Sequence, residues 1–223
     1  MLRKIKDNLK NVGDWIRAPF VTGFQDWIES AKVPGLRAVE IQLFKNYIIR
    51  YSPIYIRQES KDIDYAKGTF SYGEVSYPVA AEIVREIGVT ENDVFYDLGC
   101  GRGKMMFYTR LSTGATCIGV DLLPTHIHIA EKITQGLGIN KLHFFLEDIV
   151  NVDLSTGSVV FIHGTTFPDE VHNAVSRNID KMKTGSRFIS VSRPYDNQRL
   201  ELIKKKNYFV SWGECTVLFY RVR

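Results

Sequence analysis

The sequence predicts an α/β protein: a doubly wound, mostly parallel seven-stranded sheet with a helical N-terminal extension and a C-terminal antiparallel hairpin. Three observations predict it. From about Ser76 onward, short β-rich runs alternate with helix-like stretches, the pattern of βαβ units and a parallel sheet. One run ends in glycines that open a helix, Asp97-Leu98-Gly99-Cys100-Gly101-Arg102-Gly103. The last two runs are joined only through Gly213-Glu214, close enough for a hairpin.

The elements follow in order. Residues 1–65 read as a helical extension or cap, and residues 66–223 as the main domain. Leu2, Ile5, Leu9, Val12 and Ile16 recur at helical spacing and form one apolar stripe that Pro19 ends. A short helix holds Phe24, Trp27 and Ile28 before Pro34-Gly35, and a third runs from Leu36 to about Tyr51. In the main domain, helices are expected over Val79–Ile87, Lys104–Leu111, Thr125–Leu137 and Asp169–Met182. Strands are expected over Val94–Leu98, Thr116–Val120, Leu142–Leu146, Val159–His163, Arg187–Val191, Tyr208–Trp212 and Thr216–Val222. Lys204-Lys205-Lys206 reads as the exposed end of a helix.

Composition bounds the class. With 223 residues, 44% apolar and 24% charged, the chain can bury a sizeable core and is not a disordered one. No run approaches the roughly 18 uncharged apolar residues of a spanning helix. The N-terminus is basic but lacks the apolar stretch of a secretion signal. The three cysteines, Cys100, Cys117 and Cys215, fit neither a disulfide framework nor metal-ligand spacing. A reducing cytoplasm and no metal are therefore expected. Charge is uneven: residues 66–180 carry 8 Lys/Arg against 14 Asp/Glu, and residues 181–223 carry 10 against 3. An acidic middle suits a cationic ligand or simply a solvated face.

The glycine loop carries the chemistry. Three glycines on a strand-to-helix turn let backbone approach a ligand closely. Asp97 ends the strand before the loop, and Asp121, 18 residues after Gly103, ends the next one, near the spacing of about 20 expected of an acid that bonds ribose hydroxyls. The glycines read G-x-G-x-G, not the G-x-G-x-x-G of a pyrophosphate cradle. An acid ahead of the loop repels phosphate and favours an ammonium group. Ribose, ammonium and no phosphate describe S-adenosylmethionine. Asp97 to Gly103 resembles the first motif of the Rossmann-like class I methyltransferases that use this cofactor.

Further stretches narrow the resemblance: Tyr72-Gly73-Glu74-Val75-Ser76-Tyr77, Thr166-Phe167-Pro168-Asp169-Glu170-Val171, Met182 to Arg187, and Val210-Ser211-Trp212. Their order and spacing resemble the disruptor-of-telomeric-silencing family, the non-SET nucleosomal lysine methyltransferases, over roughly Ser71 to Arg223. The resemblance implies that Glu74 and Asp97 hold the amino-acid end of the cofactor beside Gly99 and Gly101, with Tyr72 packing nearby. It places Asp121 with Leu122 at the ribose and Asp148 with Ile149 at the adenine. It implies a protein lysine as methyl acceptor. A turn followed by a helix cap at Ser76 is the competing reading of the Tyr72–Glu74 stretch.

One departure stands out. Where the family carries Asn-Asn-Phe-Ala-Phe, this chain has His163-Gly164-Thr165-Thr166-Phe167, and only Phe167 matches. Two readings of His163 stay open: a general base, or a packing residue at a strand end. A lysine amine of pKa near 10.4 must lose about 4.6 kcal/mol of protonation preference to react at about pH 7. An aromatic channel formed by Tyr72, Phe167, Tyr195 and Trp212 would lower that cost, unless those rings are simply core. The acceptor alternatives are a small molecule or a lipid, and a cofactor-binding module without activity also fits. The basic face of residues 1–17 allows peripheral contact with an anionic membrane as an alternative to a cap. Nucleic acid is not an expected partner.

Overall fold

The computed structural model describes residues 23–50, 74–210 and 213–223. The helix expected over Leu2–Ile16, the membrane contact assigned to residues 1–17, Tyr72 and Trp212 lie outside the described residues. The chain opens with α1 (residues 23–30) and α2 (Leu36–Phe44), which runs on as a π-helical turn, Lys45–Arg50. It continues as α3 (Tyr77–Ile87), β1 (Val94–Leu98), α4 (Lys104–Thr113), β2 (Thr116–Asp121), α5 (Pro124–Gly136) and β3 (Leu142–Leu146). A 3₁₀ turn at Ile149–Asn151 leads to β4 (Val159–Ile162), α6 (Asp169–Ile179), β5 (Arg187–Val191), β6 (Leu200–Val210) and β7 (Gly213–Val222).

The seven strands form one sheet in the order β3-β2-β1-β4-β5-β7-β6. β1 to β5 are parallel, whereas β7 runs antiparallel to both β5 and β6. The chain winds outward from β1 through β2 to β3, then returns to place β4 on the other side of β1. The carboxyl ends of β1 and β4 therefore flank the point where winding direction switches, where open α/β sheets bind ligands. Register sets Leu98 opposite Ile162 there, with Asp97 opposite Gly119 on the other flank.

Alternation along the strands feeds two apolar layers. Phe95, Val159, Phe161 and Ile189 face one layer with Ile83, Phe107 and Phe144; Tyr96, Leu98, Val160, Ile162 and Phe188 face the other with Val175 and Ile179. Leu36, Val39 and Leu43, on one face of α2, are buried in the first layer. α2 thus belongs to the same core as α4 and α5.

Gly213-Glu214, expected to join the last two strands, begins β7 instead, and three other boundaries differ most from expectation. α2 gives way after Phe44 to a π turn instead of running on as one helix to Tyr51. α6 ends at Ile179, not Met182. Lys204-Lys205-Lys206 lies inside the eleven-residue strand β6, not at a helix end. β6 is the sheet edge, so residues 201–205 are all exposed and show no apolar alternation to betray a strand. The helix expected there is replaced by ion pairs: Lys204 Nζ meets Glu86 Oε2 at 2.5 Å and Lys206 Nζ meets Glu82 Oε2 at 2.8 Å, both acids on α3.

Candidate active site

The glycine loop turns from β1 into α4 with Gly99, Gly101 and Gly103 at φ of 82°, 51° and 80°, a region side chains with a Cβ rarely adopt. Its entry is fixed by the Gly99 and Cys100 amides, which donate to the Val120 carbonyl at 2.8 and 3.0 Å. Asp121, at the end of β2, holds the middle: Oδ2 accepts from the Gly101 amide at 2.8 Å and Oδ1 from the Leu123 amide at 2.9 Å. Each carboxylate oxygen retains a second lone pair. Asp97 is 3% exposed. Burial, and then the Asp121 charge, push its pKa up to about 8, so near neutral pH it is mostly protonated.

A chain of buried charge joins this loop to the N-terminal helices. Lys104, the first residue of α4, places Nζ 2.5 Å from Asp26 Oδ2 and 3.6 Å from Glu74 Oε2. The Lys104 and Asp26 side chains are only 5% and 6% exposed. Burial works against the Lys104 cation, but Glu74, Asp26 and Glu40 outweigh it and raise its pKa; burial raises that of Asp26 while Lys104 opposes. Glu74 also takes a two-point contact from Arg102, through Nε at 3.0 Å and through Nη2. Asp26 reaches the backbone as well, its Oδ1 accepting from the Tyr77 amide at 2.6 Å. The N-terminus of α3 is thus capped from α1, while Ser76 at the N-cap position makes no side-chain cap bond. The competing reading of Ser76 as that cap is corrected accordingly.

At the other rim, Asp148 caps the 3₁₀ turn, Oδ1 accepting from the Val150 amide at 3.1 Å, and the Ile149 side chain is buried in the second apolar layer. Leu122 is half-buried in the bend between β2 and α5. Across the switch point, His163 is half-buried just past the Leu98–Ile162 pair. Phe167 returns over the loop: a Cβ on Gly99 would lie 2.9 Å from its ring, and one on Gly164 2.5 Å. Gly164, by lacking a side chain, therefore makes room for Phe167. Arg193 anchors that segment, Nη1 donating to the Phe167 carbonyl at 2.8 Å and Nη2 pairing with Asp169. Tyr195 is not a channel wall; its ring packs on His172 at 3.9 Å and Phe188 at 4.9 Å inside the second layer.

The structure thus gathers Glu74, Asp97, Gly99, Gly101, Asp121, His163 and Phe167 around the ends of β1, β2 and β4. Sequence reasoning missed Arg102 and Lys104 as structural partners of Glu74, Asp26 as the second counter-ion of Lys104, and Tyr47 beside them. The excess of acids suits a cationic ligand: a positive group beside Asp97 would favour its carboxylate and offset the burial and repulsion that raise its pKa.

Sheet order, closing hairpin and a glycine loop at the switch point define an S-adenosylmethionine-dependent methyltransferase of the class I fold. Solved structures share it. The chain superposes on an RNA methyltransferase from Salinibacter ruber in complex with S-adenosyl-L-homocysteine with a TM-score of 0.56 at 22% identity, over 67% of this chain and 93% of that one. Magnesium protoporphyrin IX methyltransferase from Synechocystis with bound cofactor gives 0.57 at 14% identity, over 76% and 96%. Such identities carry the fold alone. Within the class, this chain belongs to the DOT1 family, described as Histone methylation protein DOT1, which it matches over residues 53–221. Similar proteins include the histone-lysine N-methyltransferases specific for H3 lysine-79 of Emericella nidulans, 27% identical over 157 residues, and Drosophila melanogaster, 26% identical over 133 residues. Those matches take in 62% and 53% of this chain but only 31% and 7% of the relatives' lengths. Among the described residues no helix is long and apolar enough to cross a membrane, and no group of His, Cys, Asp and Glu is arranged to hold a metal.

Proposed function

We propose that the chain moves the sulfonium methyl of S-adenosylmethionine to the ε-amine of a protein lysine. The observation that carries this reading is the family match, which spans residues 53–221, a range that includes Phe167 over the loop. In this reading Asp97 faces the methionine ammonium, Glu74 borders the same end through Arg102, and Tyr72 packs beside them. Asp121 and Leu122 meet the ribose, and Asp148 with Ile149 the adenine. Phe167 and Trp212 line the acceptor channel, where an apolar wall beside the sulfonium favours the neutral amine. A small-molecule acceptor is the second reading. It is favoured by one observation: at the end of β4 the two family amides are replaced by His163 and Gly164.

The test is transfer of radiolabelled methyl from the cofactor to cell extract separated into protein, lipid, nucleic acid and small molecules. Label in protein, recovered as methyl-lysine after hydrolysis, supports the reading. Label confined to small molecules or lipid refutes the lysine acceptor while leaving the enzyme class intact.

A further inference from the structure

Tyr47 precedes the stretch that matches the family, in the π turn after α2. π turns interrupt helices at a cost and recur at functional sites. The residue is 7% exposed, and its hydroxyl finds no hydrogen-bond partner among the described residues. A buried unpaired phenol is unfavourable unless a ligand completes it. Burial raises its pKa far above the usual value, Arg102 opposing and Glu74 and Asp121 reinforcing; it remains a donor at neutral pH. Those same charges locate it. The Arg102 guanidinium carbon lies over its ring, 5.0 Å from the centroid, and the His126 ring, beside Asp121, stands 5.8 Å away.

The methionine end of the cofactor carries a carboxylate as well as an ammonium. Asp97 and Asp121 suit the ammonium and repel the carboxylate. Near the loop, the described cations are Arg102 and Lys104, and Lys104 is buried against Asp26 and Glu74. Arg102 is more open, with 26% of its side chain exposed, and Glu74 fixes its plane through Nε and Nη2. Arg102, over the Tyr47 ring, supplies the charge a carboxylate takes, and the buried Tyr47 hydroxyl is a donor whose partner a ligand can be. We propose that Tyr47 and Arg102 together bind the α-carboxylate of the cofactor's methionine end, so that a residue outside the family-matched stretch completes the cofactor pocket. This rests on the assignment of the cofactor to the glycine loop.

Calorimetric titration of the full chain at one pH tests it, using S-adenosylmethionine, its decarboxylated form, which lacks only the carboxylate, and 5′-methylthioadenosine. Tyr47→Phe should weaken S-adenosylmethionine by about 10-fold or more, a hydrogen bond to a charged group, and leave the other two within about twofold. Arg102→Gln should repeat the pattern, and the wild type should itself discriminate against the decarboxylated form. Equal loss for all three ligands, or no loss, overturns the proposal. If Tyr47→Phe does not fold, a wild type that binds the decarboxylated form as tightly as the cofactor overturns it instead. A wild type that binds none of the three ligands refutes the underlying cofactor site, a result distinct from either.

Discussion

Cofactor binding should expel a proton from Asp97. Free of cofactor, its pKa of about 8 leaves the carboxyl about 97% protonated at about pH 6.5. A methionine ammonium about 4 Å away, at an effective dielectric of about 20, favours the carboxylate by about 4 kcal/mol, or about three pKa units. The bound pKa then falls to about 5, and at about pH 6.5 some 0.9 proton leaves on binding. The cofactor's own amine, with a reference pKa of about 7.7–8.0, stays largely protonated there. Affinity should accordingly rise nearly tenfold from about pH 6 to about pH 7. Titrations at one pH in buffers of different ionisation enthalpy measure the proton count directly, as the slope of observed against buffer enthalpy. Asp97→Asn should bring that slope close to zero and flatten the pH dependence. No release by the wild type, or unchanged release by Asp97→Asn, would refute the placement of Asp97 against the ammonium. The cofactor-free protein responds in the opposite sense: a raised native pKa contributes stability below the unfolded value of about 3.9, and that contribution is lost as pH climbs through about 8.

Asp121→Ala removes the acceptor for the Gly101 and Leu123 amides as well as the proposed ribose contact; cofactor affinity should fall at least about tenfold, and unchanged affinity in a folded variant would take Asp121 out of the site. If His163 is a general base, His163→Ala should lower turnover by about 10²–10⁴-fold with cofactor affinity intact; a loss below about tenfold leaves it a packing residue. Gly164→Ala drives a methyl to 2.5 Å from the Phe167 ring, which should cost about 1–3 kcal/mol in chemical denaturation. Phe167→Leu in the same chain should recover part of that loss, and equal stability of Gly164→Ala and wild type would show that the ring is free to move aside.

The parallel sheet was legible because its strands are short apolar runs closed by glycine or a turn, and because Asp97 and Asp121 sit at strand ends where position alone gives them neighbours. The first half of β6 was not: at a sheet edge nothing forces alternation, and three consecutive lysines resemble a solvated helix until the acids that Lys204 and Lys206 meet on α3 are known. The loop's acids were readable, whereas the partners of Glu74 were not. Lys104 meets Asp26 across 78 residues, and no local pattern announces a contact between side chains that far apart. Arg102 looked like filler between glycines. Tyr47 carries no signal at all, since an aromatic residue at the end of a helix reads as core; that its hydroxyl has no partner among the described residues is visible only in three dimensions.

The Asp26–Lys104–Glu74–Arg102 chain has a consequence for what counts as the minimal enzyme. Family resemblance begins at residue 53, but the electrostatic unit begins no later than Asp26. A chain cut at the edge of the resemblance would keep a buried ammonium deprived of one counter-ion, and would lose the acceptor that closes the first turn of α3. Removing one member of a buried pair costs about 3–5 kcal/mol, against a total of about 5–15 kcal/mol for a whole domain. The matched stretch on its own would thus lose a sizeable part of its stability: inherited similarity and mechanical independence have different borders in this molecule, and Asp26 spans the gap between them together with the buried face of α2.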